Sequence, residues 1–290
     1  MAIQSTPKPL RVAILGCGFM GTALVQGIID RLDDTCQYDL KFSVSARSSD
    51  SIDRLQRKFE SHKDRVDIIT SDNTYAARNA EVVFLAFQPQ QLAAIMDSDG
   101  PLVQALEGKL LVSILAGVSS SQVAQAVIIS PTTQRRVSRA IPSIGAQISE
   151  SMTLIADTPL SGPDRDLVSW LFRRVGPIQM VPEDLINTAT AVSAACHALT
   201  VVAVDAIVDG SVAEGIARPV AHNIAAQCLR SASTLLRDQM TIESLKESMS
   251  IARGITINAL LQLDRGQVRA GISDAVRFAA QYSKGMSEEK

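Results

Sequence analysis

Aromatic residues make up only 4% of this 290-residue chain. That is too sparse for the stacking platforms that hold single-stranded nucleic acid. Charge of one sign is missing as well. The formal net charge is −2 and no long Lys/Arg block occurs, which disfavours a phosphate backbone as partner. Cysteine is scarce and scattered. Cys17, Cys36, Cys196 and Cys228 fit neither a zinc motif nor a small disulfide framework, so the expectation is four reduced, mostly buried thiols in a reducing compartment. His62, His197 and His222 form no metal-ligand spacing, and no metal is expected. Residues 1–10 lack the apolar core of a secretory leader, and a cytoplasmic location is expected. There is no internal repeat and no low-complexity linker. One segment tests the exclusion of a membrane partner: residues 188–208 are nearly all apolar or small. His197 and Asp205 lie within it, and Ala, Ser and Thr outnumber Leu and Ile, so the segment reads as a buried core helix and not as a membrane span; too apolar all round for a surface element, it also suggests burial between the subunits of a homodimer.

What is present is ample material for a core: 46% hydrophobic and 20% charged residues, in a chain long enough for about two domains at ~150 residues each. Short apolar runs over residues 11–15, 41–46, 66–70, 81–87, 110–115, 137–141, 152–156 and 178–181 read as strands. Residues 22–31, 51–61, 76–79, 120–126 and 164–174 read as helical. Buried strands alternating with helices imply a largely parallel, doubly wound sheet. The alternation stops near Pro182. Beyond it the pattern is helical: a long helix opening on Glu183 and Asp184 and ending at Gly210, a second led by Pro219 to about residue 238, then segments at 245–249, 255–263 and 268–283, with Gly266 as a stop. The fold class is therefore α/β: an N-terminal Rossmann-type doubly wound parallel sheet over residues 1–182, and an all-helical C-terminal domain over 183–290 for dimerisation and substrate.

Gly16-Cys17-Gly18-Phe19-Met20-Gly21 fits G-x-G-x-x-G, with an apolar strand before it and an apolar-faced helix after it. Gly16 permits the tight turn, Gly18 lets the backbone approach a pyrophosphate, and Gly21 lets helix and strand pack closely. The helix amino terminus then offers unpaired N–H groups to the anion. Where an NAD site places an acid on the ribose, the second strand here ends Ser45-Ala46-Arg47-Ser48-Ser49. Arg47 can pair with a 2′-phosphate, Ser48 can donate to it, and no carboxylate precedes Asp50. NADPH is therefore expected ahead of NADH.

These residues, with others in order along nearly the whole chain, resemble the pyrroline-5-carboxylate reductase family. Phe84-Leu85-Ala86-Phe87-Gln88-Pro89-Gln90 is similar to its third-strand motif, where Lys usually stands in place of Gln88. Val112-Ser113-Ile114-Leu115-Ala116-Gly117-Val118 resembles the next motif, and Arg139-Ala140-Ile141-Pro142-Ser143 its Arg-x-Met-Pro-Asn. Asp209-Gly210 with Gly215-Ile216-Ala217-Arg218 resembles its helix connection, and Gly254-Ile255-Thr256-Ile257 its Gly-Gly-Thr-Thr-Ile. The resemblance implies reduction of a cyclic imine, pyrroline-5-carboxylate to proline or a related heterocycle of specialised metabolism, by a homodimer or a larger ring of dimers. It implies that Phe19, Met20, Ala86, Gln88 and Pro89 line the cofactor pocket, that Ala116 and Gly117 approach the nicotinamide, and that Thr256 hydrogen-bonds the imine.

The chain also departs from the family. Ser193-Ala194-Ala195-Cys196-His197 stands where the family has Ser-Gly-Ser-Gly-Pro, and Ile251-Ala252-Arg253-Gly254-Ile255-Thr256 where it has Ser-Pro-Gly-Gly-Thr-Thr. Hydride transfer to C=N needs a proton at nitrogen. Thr190, Ser193 and His197 share one helix face, so His197 can serve as the acid, or it can be a buried neutral histidine satisfied by a nearby hydroxyl or carbonyl. Arg253 can grip a substrate carboxylate beside Gly254, or point outward and leave a larger, less polar pocket. Two further readings stand beside the reductase. One is an inactive NADP(H)-binding homologue. The other is reduction of C=O, which would want a helix lysine, and residues 183–209 contain none.

Overall fold

The computed structural model describes residues 7–33, 36–96, 100–127 and 136–288, with side chains through residue 285. Eight strands form one sheet: β1 (Lys8–Leu15), β2 (Tyr38–Ala46), β3 (Val66–Thr70), β4 (Val82–Leu85), β5 (Leu110–Ser113), β6 (Val137–Ile141), β7 (Thr153–Asp157) and β8 (Ile178–Pro182). Their order is β3-β2-β1-β4-β5-β6-β7-β8. Every pairing is parallel except β6 with β7. Helices α1 (Phe19–Ile29), α2 (Ser49–Lys58), α3 (Asn73–Arg78), α4 (Leu92–Ile95), α5 (Pro101–Leu106), α6 (Ser120–Ala126) and α7 (Gly162–Arg173) cover its faces. This is the doubly wound Rossmann arrangement, extended by two strands beyond the usual six.

Alternation along β1 shows why the strand reads as an unbroken apolar run. Leu10, Val12 and Ile14 face α1, α2 and α7, joining Leu24, Ile28, Leu55, Phe59 and Phe172 in one core layer. Ala13 and Leu15 face the opposite way, joining Ala76, Val103, Leu106 and Val123 in a second. Successive residues point to opposite faces, and both faces are covered, so no polar alternation survives. A fully buried Leu, Ile or Phe in either layer contributes about 1.5–3 kcal/mol.

The chain divides into two compact units, Met1–Thr190 with Gly285–Lys290, and Ala191–Lys284. The boundary falls inside α8 (Ile186–Ala213), a few residues beyond the 182/183 division expected from pattern. The remaining helices are α9 (Arg218–Asp238), α10 (Ile242–Met249), α11 (Ile255–Arg265) and α12 (Val268–Glu288).

Two expectations are corrected here. Gly210 does not end α8, which runs through it to Ala213. The stop is Gly215, with φ +88°. The Gly215 N–H donates to the Val212 carbonyl and the Ile216 N–H to that of Ser211, the paired bonds of a left-handed C-terminal cap. Gly266 does stop α11, as expected: it is the cap residue, with φ −75°, and the left-handed position falls to Gln267. Finally, α8 is not a buried core helix within one chain. By length and composition it could cross a membrane, and only 17% of its most apolar stretch is buried.

The edge of the sheet where the strands begin is held by Arg136, before β6, and Asp164 on α7. Arg136 Nε and Nη2 donate to the two Asp164 carboxylate oxygens at 2.8 and 2.5 Å, and Nη1 donates to the Gly108 carbonyl at 2.7 Å. The Arg136 hydrogen bonds hold the Asp164 carboxyl below its ordinary value, outweighing the opposing effect of burial. A depressed carboxyl stabilises the fold above the unfolded-state value of about 3.9 and loses that contribution as pH falls through the folded-state value. Asp164→Asn is therefore expected to lower the urea midpoint at pH 7, with the gap to the unsubstituted protein closing below about pH 4. A gap that persists undiminished at pH 3 would show the effect to be one of packing, not charge.

Candidate functional site

Strands β1 and β4 are neighbours, but their following loops turn toward opposite faces, and a crevice opens at the carboxyl ends between them. The crevice has a volume of about 850 Å³ and is lined by residues of the β1, β2, β4 and β5 loops. The turn from β1 is set by Gly16 at φ +81°. A β-carbon there would stand 2.6 Å from the Phe87 β-carbon and 2.7 Å from its α-carbon. The Gly18 N–H returns to the Gly16 carbonyl and the Cys17 N–H to that of Ser45. Gly18 precedes α1 with no side-chain cap, and a β-carbon there would meet nothing within 4 Å. The first N–H groups of α1 are thus left open, as an anion-binding helix end requires.

The structure brings Gly16, Gly18, Phe19, Met20, Arg47, Ser48, Ala86, Gln88, Pro89 and Ala116 to this one crevice. Gly21 lies beneath it, where a β-carbon would press on Ile14 Cγ2 at 3.2 Å and Cys17 Sγ at 3.3 Å. Gly117 takes φ +73° in the loop after β5. Arg47 is exposed directly after β2, its backbone carbonyl accepting from the Ser71 hydroxyl. The Ser48 hydroxyl caps α2, accepting from the Ser51 N–H and donating to Ser51 Oγ at 2.8 Å. Burial pushes the Cys17 thiol up to about 11, so it remains neutral and is no nucleophile. Cys36 is also buried, whereas Cys196 and Cys228 are exposed within the single chain, against the expectation of four mostly buried thiols.

Pattern reading missed two contributors. Asn73, at the start of α3, lines the crevice and accepts from Ser45 Oγ at 2.6 Å; the helix begins three residues before the expected 76. Arg54 reaches back from α2 to donate to the Cys17 carbonyl and to Thr22 Oγ1, each at 2.9 Å, buttressing the glycine turn from behind. Its partners lie over 30 residues away, beyond any local signal.

Ser193, His197, Arg253, Gly254 and Thr256 belong to the helical unit. His197 is exposed, with Nδ1 2.8 Å from the Ser193 carbonyl oxygen, so that nitrogen donates and Nε2 is the one left to exchange a proton. It is not buried, though a carbonyl does satisfy it. Arg253 is exposed at φ +60°, a left-handed conformation that favours glycine. Gly254 is the N-cap of α11, and a β-carbon there would stand 2.6 Å from Ile251 Cγ1. Thr256 follows in the first helical turn, half-buried.

Along 96% of this chain and 94% of its own length, a pyrroline-5-carboxylate reductase of Lophium arboricola is 33% identical. The chain belongs to the pyrroline-5-carboxylate reductase family. Residues 183–286 match the family described as pyrroline-5-carboxylate reductase dimerisation, and residues 11–117 that described as NADP oxidoreductase, coenzyme F420-dependent. The family fold is shared by a Coxiella burnetii pyrroline-5-carboxylate reductase, 22% identical with TM-score 0.82 over 96% of this chain and 98% of that one. It is shared too by a Plasmodium falciparum pyrroline carboxylate reductase solved with NADP bound, 20% identical with TM-score 0.77 over the same shares.

The two glycines of the turn are expected to separate on substitution. Gly16→Ala forces a left-handed alanine into the Phe87 backbone and is expected to cost more than about 3 kcal/mol of unfolding free energy. Gly18→Ala, with open space and an ordinary φ, is expected to change it by less than about 0.5 kcal/mol. Urea titration of both variants checks this; equal losses would place the constraint elsewhere.

Proposed function

We propose that this protein reduces pyrroline-5-carboxylate, or a closely related cyclic imine, to the cyclic amine with NADPH. The observation that carries the reading is the uncapped start of α1 behind Gly18, opening on a crevice large enough for a dinucleotide, in a chain of this family. NADPH supplies a hydride to the imine carbon; the nitrogen takes up a proton, and the products are the amine and NADP⁺. The residues present fit such a cofactor. The open N–H groups of α1 suit the pyrophosphate, Arg47 and Ser48 at the lip suit a 2′-phosphate, and Ala116 and Gly117 leave room for a flat ring. Gln88 stands where a lysine would add charge, so the positive charge beside the 2′-phosphate rests on Arg47.

On the helical unit, Thr256 is the proposed donor to the imine nitrogen, and Gly254 leaves its neighbouring backbone accessible. Arg253 is the proposed grip on the substrate carboxylate: an arginine held left-handed before a helix is a strained residue of the kind that function retains. His197, whose Nδ1–H is held by the Ser193 carbonyl, is the proposed acid on α8: as the imidazolium it would give its Nε2 proton and be left neutral. The apolar surface of the helical unit, with Val201 and Val202 about two-thirds exposed and Ile255 at 91%, and the match to a dimerisation family support a homodimer. A ring of such dimers is the larger assembly proposed. Aqueous exposure would then be limited to the polar faces, in keeping with a cytoplasmic enzyme that needs no membrane.

The test is NADPH oxidation, followed by its loss of absorbance, with pyrroline-5-carboxylate and other cyclic imines. Turnover is expected, with NADPH favoured over NADH. Arg47→Ala is expected to raise KM for NADPH by about tenfold or more while leaving that for NADH within about threefold. Thr256→Ala is expected to lower kcat/KM by about 10²-fold. Cofactor binding without turnover of any imine would favour a non-catalytic homologue. Light scattering that finds a monomer at micromolar concentration, about 10 μM, would contradict the dimer.

A further inference from the structure

Arg139 is the one arginine among the described residues that is almost wholly enclosed, at 2% exposure, and nothing in the reaction above uses it. It lies on β6 beside Ser113, the last residue of β5. Its Nη1 approaches Glu183 Oε1 at 3.4 Å, and Nη2 donates to Asn187 Oδ1 at 2.5 Å. The same Glu183 oxygen accepts from the backbone N–H of Ser120 at 3.0 Å. Ser120 opens α6, three residues after the left-handed Gly117 and four after Ala116 on the crevice wall.

Leu115 and Val118 anchor that wall in the core by apolar packing, but its hydrogen bonding is light. The Ile114 N–H donates to the Leu85 carbonyl at 3.1 Å, but the next bonds, Leu115 N–H to Ser113 Oγ and Val118 N–H to the Leu115 carbonyl, are both long at 3.4 Å. The capping bonds of Ser119 and Gln122 lie within α6 itself. Glu183 is thus the bond that ties the far end of the wall to another part of the sheet, and Arg139 fixes where that carboxylate stands. A buried arginine retained with Nε unpartnered, facing a carboxylate whose Oε2 is also unpartnered, is poorly optimised as a stabilising ion pair. Its geometry serves placement better than stability.

We infer that Glu183 and Arg139 are positioning residues for hydride transfer: Glu183 holds the 114–117 wall against the nicotinamide side of the crevice, and Arg139 holds Glu183. The inference rests on the dinucleotide reading of the crevice. The experiment is single-turnover NADPH oxidation by the full-length chain with pyrroline-5-carboxylate, beside NADPH Kd and thermal midpoint for each variant. Glu183→Ala removes both the charge and the acceptor; Glu183→Gln keeps an oxygen for Ser120 but releases Arg139. Arg136→Met, which breaks the ion pair with Asp164 at the opposite edge of the sheet, is the control for lost stability alone. Glu183→Ala and Arg139→Met are expected to slow hydride transfer by about tenfold or more, with NADPH Kd within about threefold, and Glu183→Gln to fall between. Arg136→Met is expected to lower the midpoint and leave the rate unchanged. A Glu183→Ala rate within about twofold of the unsubstituted protein, at a midpoint lowered as far as the control's, overturns the inference. Should Arg139→Met not fold, the two Glu183 variants decide. Failure of the unsubstituted chain to bind NADPH would instead remove the dinucleotide reading itself.

Discussion

The contact between the Gly16 turn and the Phe87 backbone is the constraint from which the rest of the site follows. It brings the loop after β1 against the loop after β4 with no side chain between them. Only because that approach is closed does α1 begin where it does, with Gly18 leading an uncapped first turn into the crevice. The strand order supplies the other half of the arrangement. β1 and β4 are adjacent, yet α1 packs in one core layer while α3, α5 and α6 pack in the other. The space between diverging loops is a consequence of the topology; its depth is a consequence of one glycine.

Around that turn the arginines are used in three physical ways. Arg47 is solvated at the lip, where its charge is available to a ligand and weakly felt by the fold. Arg54 spends its donors on the Cys17 carbonyl and the Thr22 hydroxyl, stiffening the turn through hydrogen bonds that survive screening. Arg139 is enclosed, and burial pulls its guanidinium below its ordinary value while Glu183 draws it back up. The same residue type thus reads a ligand, braces a loop or anchors a wall, depending on how much water remains around it.

The sheet was legible because both its faces are covered. Strands such as Val82–Leu85, and residues 12–15 of β1, are apolar throughout, flanked by turn residues and too short for a buried helix. The glycine motif was legible for the same reason: it stood between a clear strand and a clear helix. What escaped was non-local. Nothing near Arg54 or Asn73 in the chain marks them for the crevice, since their partners arrive only when the sheet assembles. The end of α8 was misplaced because a glycine can sit inside a long helix at a cost of about 1 kcal/mol. The true stop is recognisable only by the positive φ of Gly215. For residues 188–208, burial as a core helix within one chain was wrong while burial between subunits was also expected, because composition reports that a surface avoids water, not which surface covers it.

The exposed apolar length of α8 has a consequence for the protein's lifetime in solution. A 28-residue helix spans about 42 Å, and a protomer that leaves it uncovered carries a surface attractive to any other hydrophobe. If a second copy is the proper cover, completion of the fold is a bimolecular event, and resistance to heat, proteases and urea grows with the concentration of the protein itself. Dilution would then act as a denaturant, and a surface that matches in a single species also becomes a filter against pairing with the wrong chain.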